Sequence, residues 1–377
     1  MMKVINKVCL TGGPCGGKSS SLATMKQKLE SRGYNVVVVP EGATKIISSG
    51  VIPCKNVSLE EFQELVLKEQ LHNEKLFEEA LNYMNGDKNI IICDRGLGDQ
   101  YAYLDKKAMD DMLFKYGMTQ EQAYARYDCV IHLKTAADGA LEHYQWNDPN
   151  SNSVGNNAAR FDTPEMAIEA DKKTLKAWVG HPHFRVIDNS TDFTGKVDRV
   201  MKEVFTAIGE PVPCENERKF LIKKPSKELI DSLEYVSMTH ITQTYLESNG
   251  KTERRVRKRG TDINGYSYYY TEKTELGDGS RKEVERLIDA REYATYIEYE
   301  SDKSLYTIEK DRYCFLYKDK YFEMDLYPFD DEYAILEIEL NSMDEEVELP
   351  KLDIIKEVTF DESYHNHSIA SRNSICN

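Results

Sequence analysis

Long apolar runs are missing from this 377-residue chain. None approaches the roughly 20 consecutive apolar residues that a membrane-spanning helix needs. The first apolar stretch, Val4 to Leu10, is short and runs straight into a glycine loop, so no secretory signal is expected. Metal-type cysteine pairs are missing too. The eight cysteines (Cys9, Cys15, Cys54, Cys93, Cys129, Cys214, Cys314 and Cys376) are scattered without a C-x-x-C pair, which argues against a zinc ribbon or a disulfide framework. Cys9, Cys93 and Cys129 sit in apolar strands, where a reduced thiol acts as a small hydrophobe, and a cytoplasmic location is expected. Any membrane contact would be peripheral. Positive charge is not in excess: the formal net charge is -16, which argues against nucleic acid as a partner. There is no internal repeat and no low-complexity tract.

What is present fits folded globular domains. Hydrophobic residues make up 40% and charged residues 30%, and the length accommodates two or three domains. The first 208 residues alternate apolar strand candidates with helical patterns. The strands are Val4–Thr11, Asn35–Pro40, Asn89–Cys93, Asp128–Leu133 and Phe184–Ile187. Their near-continuous apolar character suits a parallel sheet covered by helices on both faces. Ser58-Leu59-Glu60-Glu61 is a capping box opening a helix that ends at Asn85-Gly86. Residues 209–213, with Pro211 and Pro213, read as a linker. From 214 to 377 strand-like alternation dominates, broken by turn signals at Asn264-Gly265, Gly277-Asp278-Gly279 and Lys318-Asp319-Lys320.

Gly12-Gly13-Pro14-Cys15-Gly16-Gly17-Lys18-Ser19 matches G-x-x-x-x-G-K-[ST], between an apolar strand and an amphipathic helix, and Ser20 follows it. Glycines let the backbone curl so that successive N–H groups face a phosphate, and the helix adds the positive end of its dipole. Lys18 would reach the β and γ phosphates, and the Ser19 hydroxyl would ligate Mg²⁺. Asp94 ends a buried strand where a second metal-orienting carboxylate belongs, or it caps a turn there. Glu41 follows another strand at the same edge. It reads as a general base, a ligand to a Mg²⁺-bound water, or a helix N-cap neighbour. Trp146 to Phe161 is a polar stretch before a helix; it reads as a lid offering Arg160 to a transferring phosphate, or as a surface loop. Asp188-Asn189-Ser190-Thr191 follows the last strand and is a candidate contact for the base.

The loop at 12–19, the Val39-Pro40-Glu41-Gly42-Ala43 segment and Asp94-Arg95-Gly96 resemble the P-loop kinase superfamily, and within it the nicotinamide-riboside-kinase-like AAA group. The deoxynucleoside kinases share a similar pattern. The resemblance implies a five-stranded parallel sheet and, from the deoxynucleoside kinases, Glu41 as base. With Arg95 beside Asp94 and Arg160 from the polar stretch, Glu41 makes up the candidate catalytic set, and GTP or ATP is the expected ligand.

The C-terminal third places charges on alternate positions: Glu215-x-Glu217-x-Lys219, Arg255-x-Arg257, Lys273, Glu283-x-Glu285, Lys310-x-Arg312, Glu323-x-Asp325 and Glu337-x-Glu339. Every second side chain of a strand shares a face, so each pair points one way. Acids on such a wall hold divalent metals, and bases hold phosphates. The alternative is an open sheet with a wet charged face, its other face being apolar at Phe322, Met324, Leu326, Leu336, Ile338 and Leu340.

The ordered series resembles the CYTH family of triphosphate tunnel metalloenzymes, over about residues 214–371. It implies an antiparallel eight-stranded β tunnel barrel. Glu215, Glu217, Glu337 and Glu339 would hold Mg²⁺ or Mn²⁺. Lys219, Arg255, Arg257, Lys273, Arg281, Lys310 and Arg312 would hold phosphates, and Glu283, Glu285, Glu323 and Asp325 would complete the lining. The pairing of both halves is similar to the TRPL-translocation-defect protein family. That implies GTP binding, a polyphosphate or phosphoinositide headgroup as partner, and a trafficking or signalling role. A metal-dependent triphosphatase or a small-molecule kinase is the alternative.

Overall fold

The computed structural model describes residues 4–144, 163–210, 217–248, 252–275, 281–340 and 345–376. The chain divides into two compact units, Met1–Val204 and Phe205–Asn377.

The first unit is α/β. Its strands are β1 (Asn6–Thr11), β2 (Asn35–Val39), β3 (Asn89–Asp94), β4 (Cys129–Leu133) and β5 (Phe184–Ile187). They form one parallel sheet in the order β2-β3-β1-β4-β5. All five residues of β4 are buried, and so are the first five of β3. Alternate residues of a strand point to opposite faces, so both faces of the sheet are covered. The helices are α1 (Lys18–Glu30), α2 (Gly42–Ser48), α3 (Leu59–Tyr83), α4 (Lys106–Lys115), α5 (Gln120–Tyr124), α6 (Pro164–Lys176) and α7 (Phe193–Ala207). The Ser58 box forms as expected: its side chain accepts from Glu61 N, and the Glu61 carboxylate accepts from Ser58 N at 3.1 Å. β1 lies between β3 and β4, so chain leaving its carboxyl end enters the crevice where ligands of open α/β sheets bind.

The second unit is a nine-stranded antiparallel sheet with a few helices. Its strands are β6 (Glu217–Lys223), β7 (Ser237–Leu246), β8 (Thr252–Thr261), β9 (Gly265–Glu275), β10 (Arg281–Ile288), β11 (Ile308–Tyr317), β12 (Lys320–Leu326), β13 (Tyr333–Glu339) and β14 (Ile354–Glu357). The order is β10-β9-β8-β7-β11-β12-β13-β6-β14. Eight strands in a closed barrel were expected. The ninth, β14, adds to the outer edge of β6 through an irregular register between Ile354 and Lys356. Among the described residues β10 and β14 are the ends of the ladder, with no pairing between them. Ser304–Asp311 and Tyr313–Lys318, which read from the sequence as two strands, are replaced by one continuous strand, β11, from Ile308 to Tyr317. Lys318 and Asp319 both take positive φ (49° and 61°), as a tight hairpin between β11 and β12 requires.

One face of β6, β11, β12 and β13 carries Phe220, Ile222, Phe315, Phe322, Met324, Leu336 and Ile338. They are buried in a cluster that includes Ile230 of α8 (Lys227–Asp231). A second cluster joins Leu221, Tyr245, Ile308, Tyr327 and Ile335 to Ile369 and Ala370 of α10 (Asn366–Arg372). Those on strands share the parity of Lys219, Arg255, Lys310 and Glu337, and Tyr327, just past β12, follows that of Asp325. The C-terminal helix therefore plugs part of the charged face with apolar side chains. Residues of α9 (Ala290–Tyr299) pack on the opposite face, with Tyr296 5.1 Å from Tyr270, ring centre to ring centre.

Candidate functional sites

The phosphate loop occupies the turn between β1 and α1. Gly12 and Gly17 take φ of 136° and 89°, which glycine alone adopts at little cost. Packing demands glycine as well: a Cβ on Gly12 would lie 2.1 Å, and one on Gly16 2.6 Å, from the Leu133 carbonyl oxygen. Cys15 also takes positive φ, 56°, between half-buried Pro14 and buried Gly16. Lys18 is the first residue of α1, followed by the exposed Ser19 and Ser20. Its ammonium donates to the carbonyls of Gly12 (2.9 Å) and Gly13 (3.1 Å). Burial and the nearby Arg95 guanidinium lower the Lys18 pKa to about 8, against the pull of Asp94, Glu41 and Asp99.

Three carboxylates gather at the same edge of the sheet. Asp94 ends β3 opposite Leu10 of β1, and its buried Oδ1 has no hydrogen-bond partner. Burial raises its pKa, with Lys18 pulling the other way. A buried carboxylate oxygen without a donor, beside a lysine and a serine-bearing helix start, fits a ligand to a hydrated divalent cation. Glu41 stands at the N-cap position of α2, yet its side chain makes no capping bond. It accepts instead from Arg95 Nε (2.8 Å) and Thr44 Oγ1 (2.6 Å). Burial pushes its carboxyl up, but Arg95 and Thr44 hold it below the ordinary range.

Arg95 is the hinge of this group. It takes left-handed φ, 72°, a conformation that costs a non-glycine residue and recurs at functional sites. Its Nη1 donates to Asp99 at 3.1 Å. Asp99, 2% exposed, also accepts from Gly96 N (2.8 Å) and from Thr11 Oγ1. The sequence reading missed Asp99. Its only trace is the four-residue step from Arg95 on a short 3-10 helix, Leu97–Ala102. Asn189 faces inward: its amide donates to the carbonyls of Thr135 and Asp138, and its oxygen accepts from Lys196, so it braces two loops. Arg160 and the stretch Trp146 to Phe161 lie outside the described residues.

On the second unit, strand register puts the charge pairs on one face. Glu337 pairs with Lys219 and Glu323, Asp325 with Arg312, and Glu339 with Glu217. Arg255 lies opposite Tyr245 and Thr271, and Arg257 opposite Gln243 and Tyr269. Glu285 faces Thr271, and Lys273 faces Glu253. Arg281 and Glu283 are placed on β10 by register, opposite Glu275 and Lys273; their side chains lie outside the described set, as does Glu215. The middle of this face is buried. Lys310 is 2% exposed, Asp325 0% and Glu337 5%.

Buried charges persist only when paired. Arg312 donates to Asp325 through Nε and Nη2, both at 2.6 Å, to Glu337 at 2.7 Å and to Glu323. Lys310 binds Asp325. Lys219 bridges Glu337 (2.6 Å) and Glu217 (2.9 Å). Burial alone would lift the Glu337 carboxyl, but Lys219, Arg312 and Lys310 hold it well below its ordinary value. Arg257 meets both oxygens of Glu285 at 3.0 and 2.9 Å. Arg259 continues the alternation on β8 opposite Ile241 and is 2% exposed. It shares the charged face, and the spacing Arg255-x-Arg257-x-Arg259 was its signal. Among the described residues no group of three metal-ligating side chains is poised for a cation, because these carboxylates serve the bases.

A parallel sheet with a glycine-lined turn between its central strand and the next helix, a lysine opening that helix and a carboxylate ending the adjacent strand define the P-loop nucleotide-binding class. The family described as AAA domain matches residues 7–196, and the chain belongs to it. No curated protein matches the chain. Two solved structures are similar to it, titled as the hypothetical protein NE1496 and the inorganic triphosphatase NE1496. They are 27% and 26% identical, cover 42% of this chain and 98% and 96% of their own, each with a TM-score of 0.30. No helix among the described residues is long and apolar enough to cross a membrane.

Proposed function

We propose that the first unit binds GTP or ATP with Mg²⁺, and that the charged face of the second, as the lining of a tunnel, binds a polyphosphate or a phosphorylated lipid headgroup. In this reading the protein is a regulator in trafficking or signalling. The observation that carries it is Lys18. Its ammonium is held on the carbonyls of its own loop, beside an Asp94 oxygen that no donor satisfies. Ser19 and Asp94 would hold Mg²⁺, which when bound neutralises phosphate charge. Lys18 then exchanges two carbonyls for phosphate oxygens, a stronger, charge-assisted bond. Titration of the full chain with Mg·GTP and Mg·ATP tests this: wild type binds one or both, and Lys18→Ala loses at least tenfold. Equal affinity in the variant defeats the reading.

A second reading, catalysis, has an observation of its own. Glu41, Arg95 and Asp99 form one network at the edge where a phosphoryl acceptor would sit. Glu41 engaged by Arg95 is a weak proton acceptor, so a kinase would need a substrate that draws Arg95 away. Glu41→Gln would then lower turnover about a hundredfold with little change in nucleotide affinity; unchanged turnover removes Glu41 as base. On the charged face, a triphosphate that took Lys219 and Arg312 would release Glu217 and Glu337, which with Glu215 and Glu339 would hold Mg²⁺ or Mn²⁺. Phosphate release from tripolyphosphate tests that alternative.

A further inference from the structure

The phosphate loop is gripped from the side by a carboxylate with no part in holding the nucleotide. Asp171 lies on α6 and is 3% exposed. Its Oδ1 accepts from Gly13 N at 2.6 Å and from Thr135 N at 3.2 Å. His132 Nε2 is 3.2 Å from the same oxygen. His132 is fully buried on β4, and its other ring nitrogen has no hydrogen-bond partner. A carboxylate facing Nε2 puts the ring proton there and leaves Nδ1 bare. Burial pushes the Asp171 carboxyl up, but His132 and the two backbone N–H groups hold it below its ordinary range.

The grip extends along the loop. Thr135 Oγ1 donates to Pro14 O at 2.5 Å, and Ala136 N donates to Cys15 O at 3.2 Å. Three consecutive loop residues, Gly13, Pro14 and Cys15, are thus each tied to α6 or to the turn after β4. A Cβ on Gly13 would stand 2.6 Å from Asp171 Oδ1 and 3.0 Å from its Cα, so glycine is required there for the approach of α6. An anion cradle works only if its amides converge before the anion arrives. Gly13 N–H is turned to Asp171 and Gly16 N donates to Gly13 O at 3.4 Å, so the amides from Gly17 to Ser20 are left to face an anion.

We propose that Asp171, oriented by His132, is a positioning residue that fixes the phosphate cradle from α6; this rests on the nucleotide reading above. The test uses the full chain, titrated with Mg·ATP and Mg·GTP, with the Gly13 amide proton followed by NMR. Asp171→Ala is expected to weaken nucleotide binding about tenfold or more. Asp171→Asn keeps an acceptor, so it should stay within about threefold, hold the ligand-free Tm, and move the Gly13 resonance upfield as the charge-assisted bond weakens. Should the alanine variant not fold, His132→Gln serves in its place, with a smaller loss of affinity expected. Wild-type affinity in Asp171→Ala, or in His132→Gln where that stands in, overturns the proposal. So does a loss that only tracks the fall in ligand-free Tm, or a Gly13 resonance indifferent to Asp171→Asn. If wild type binds neither nucleotide while Gly13 still responds to Asp171→Asn, the nucleotide reading has failed rather than the contact.

Discussion

Replacing Asp325 with alanine tests whether the charged face is held by its own ion pairs. Asp325 is fully buried and accepts from Lys310 and twice from Arg312. Removing one partner of a buried pair costs about 3–5 kcal/mol, because the other charge is left unpaired in a poor solvent. The two bases do not suffer equally. Arg312 keeps Glu323 and Glu337, whereas Lys310 loses the one carboxylate shown bonded to it. The lower end, about 3 kcal/mol, is therefore expected. For a unit of this size that lowers Tm by about 6–12 °C. Lys310 already has its pKa lowered by burial and by Arg312, with Asp325 opposing. Without Asp325 it falls further, so the penalty is largest at neutral pH and shrinks as pH rises toward the ordinary lysine value. Urea denaturation of the full chain, followed by far-UV circular dichroism at neutral and alkaline pH, measures both effects. A loss under about 1 kcal/mol, or one independent of pH, would refute the argument.

Further outcomes follow from the same geometry. Gly12→Ala should abolish nucleotide binding and lower Tm, because its Cβ would meet the Leu133 carbonyl at 2.1 Å and its φ is 136°; a variant binding as wild type would contradict this. Acid stability should depend on Glu74, fully buried between Lys7 (2.9 Å) and Arg126 (2.6 Å). Burial pushes that carboxyl up, but Lys7 and Arg126 hold it below its ordinary value. Its contribution is therefore complete above about pH 4.3 and lost as pH falls toward the folded value. Glu74→Gln should flatten that acid limb of a Tm–pH curve, and an unchanged limb would show that other groups cause it.

Much of this was legible in local pattern. The glycine loop, the Ser58 box and the alternating charges each follow from spacing of two to five residues, and each formed. Two strand-level expectations failed for physical reasons. The expected break at Arg312 between two strands does not occur, because Arg312 faces buried acids and the backbone runs straight through as β11. β14 was missed because its residues are mostly exposed, so no alternation marks them. At the site, Glu41 was ambiguous between a cap and a charged role. Only the fold shows the side chain turned to Arg95, 54 positions away. Asp171 meets Gly13 across 158 positions, a contact no local rule reaches.

If the chain carries two separate anion sites, a crossed titration tells them apart. The full-length wild type, Lys18→Ala and Arg255→Ala/Arg257→Ala would each be titrated with Mg·nucleotide and with tripolyphosphate. Lys18→Ala is expected to lose nucleotide and keep tripolyphosphate, and the double variant to do the reverse. Both ligands lost together in either variant, or both retained in both, would contradict that separation.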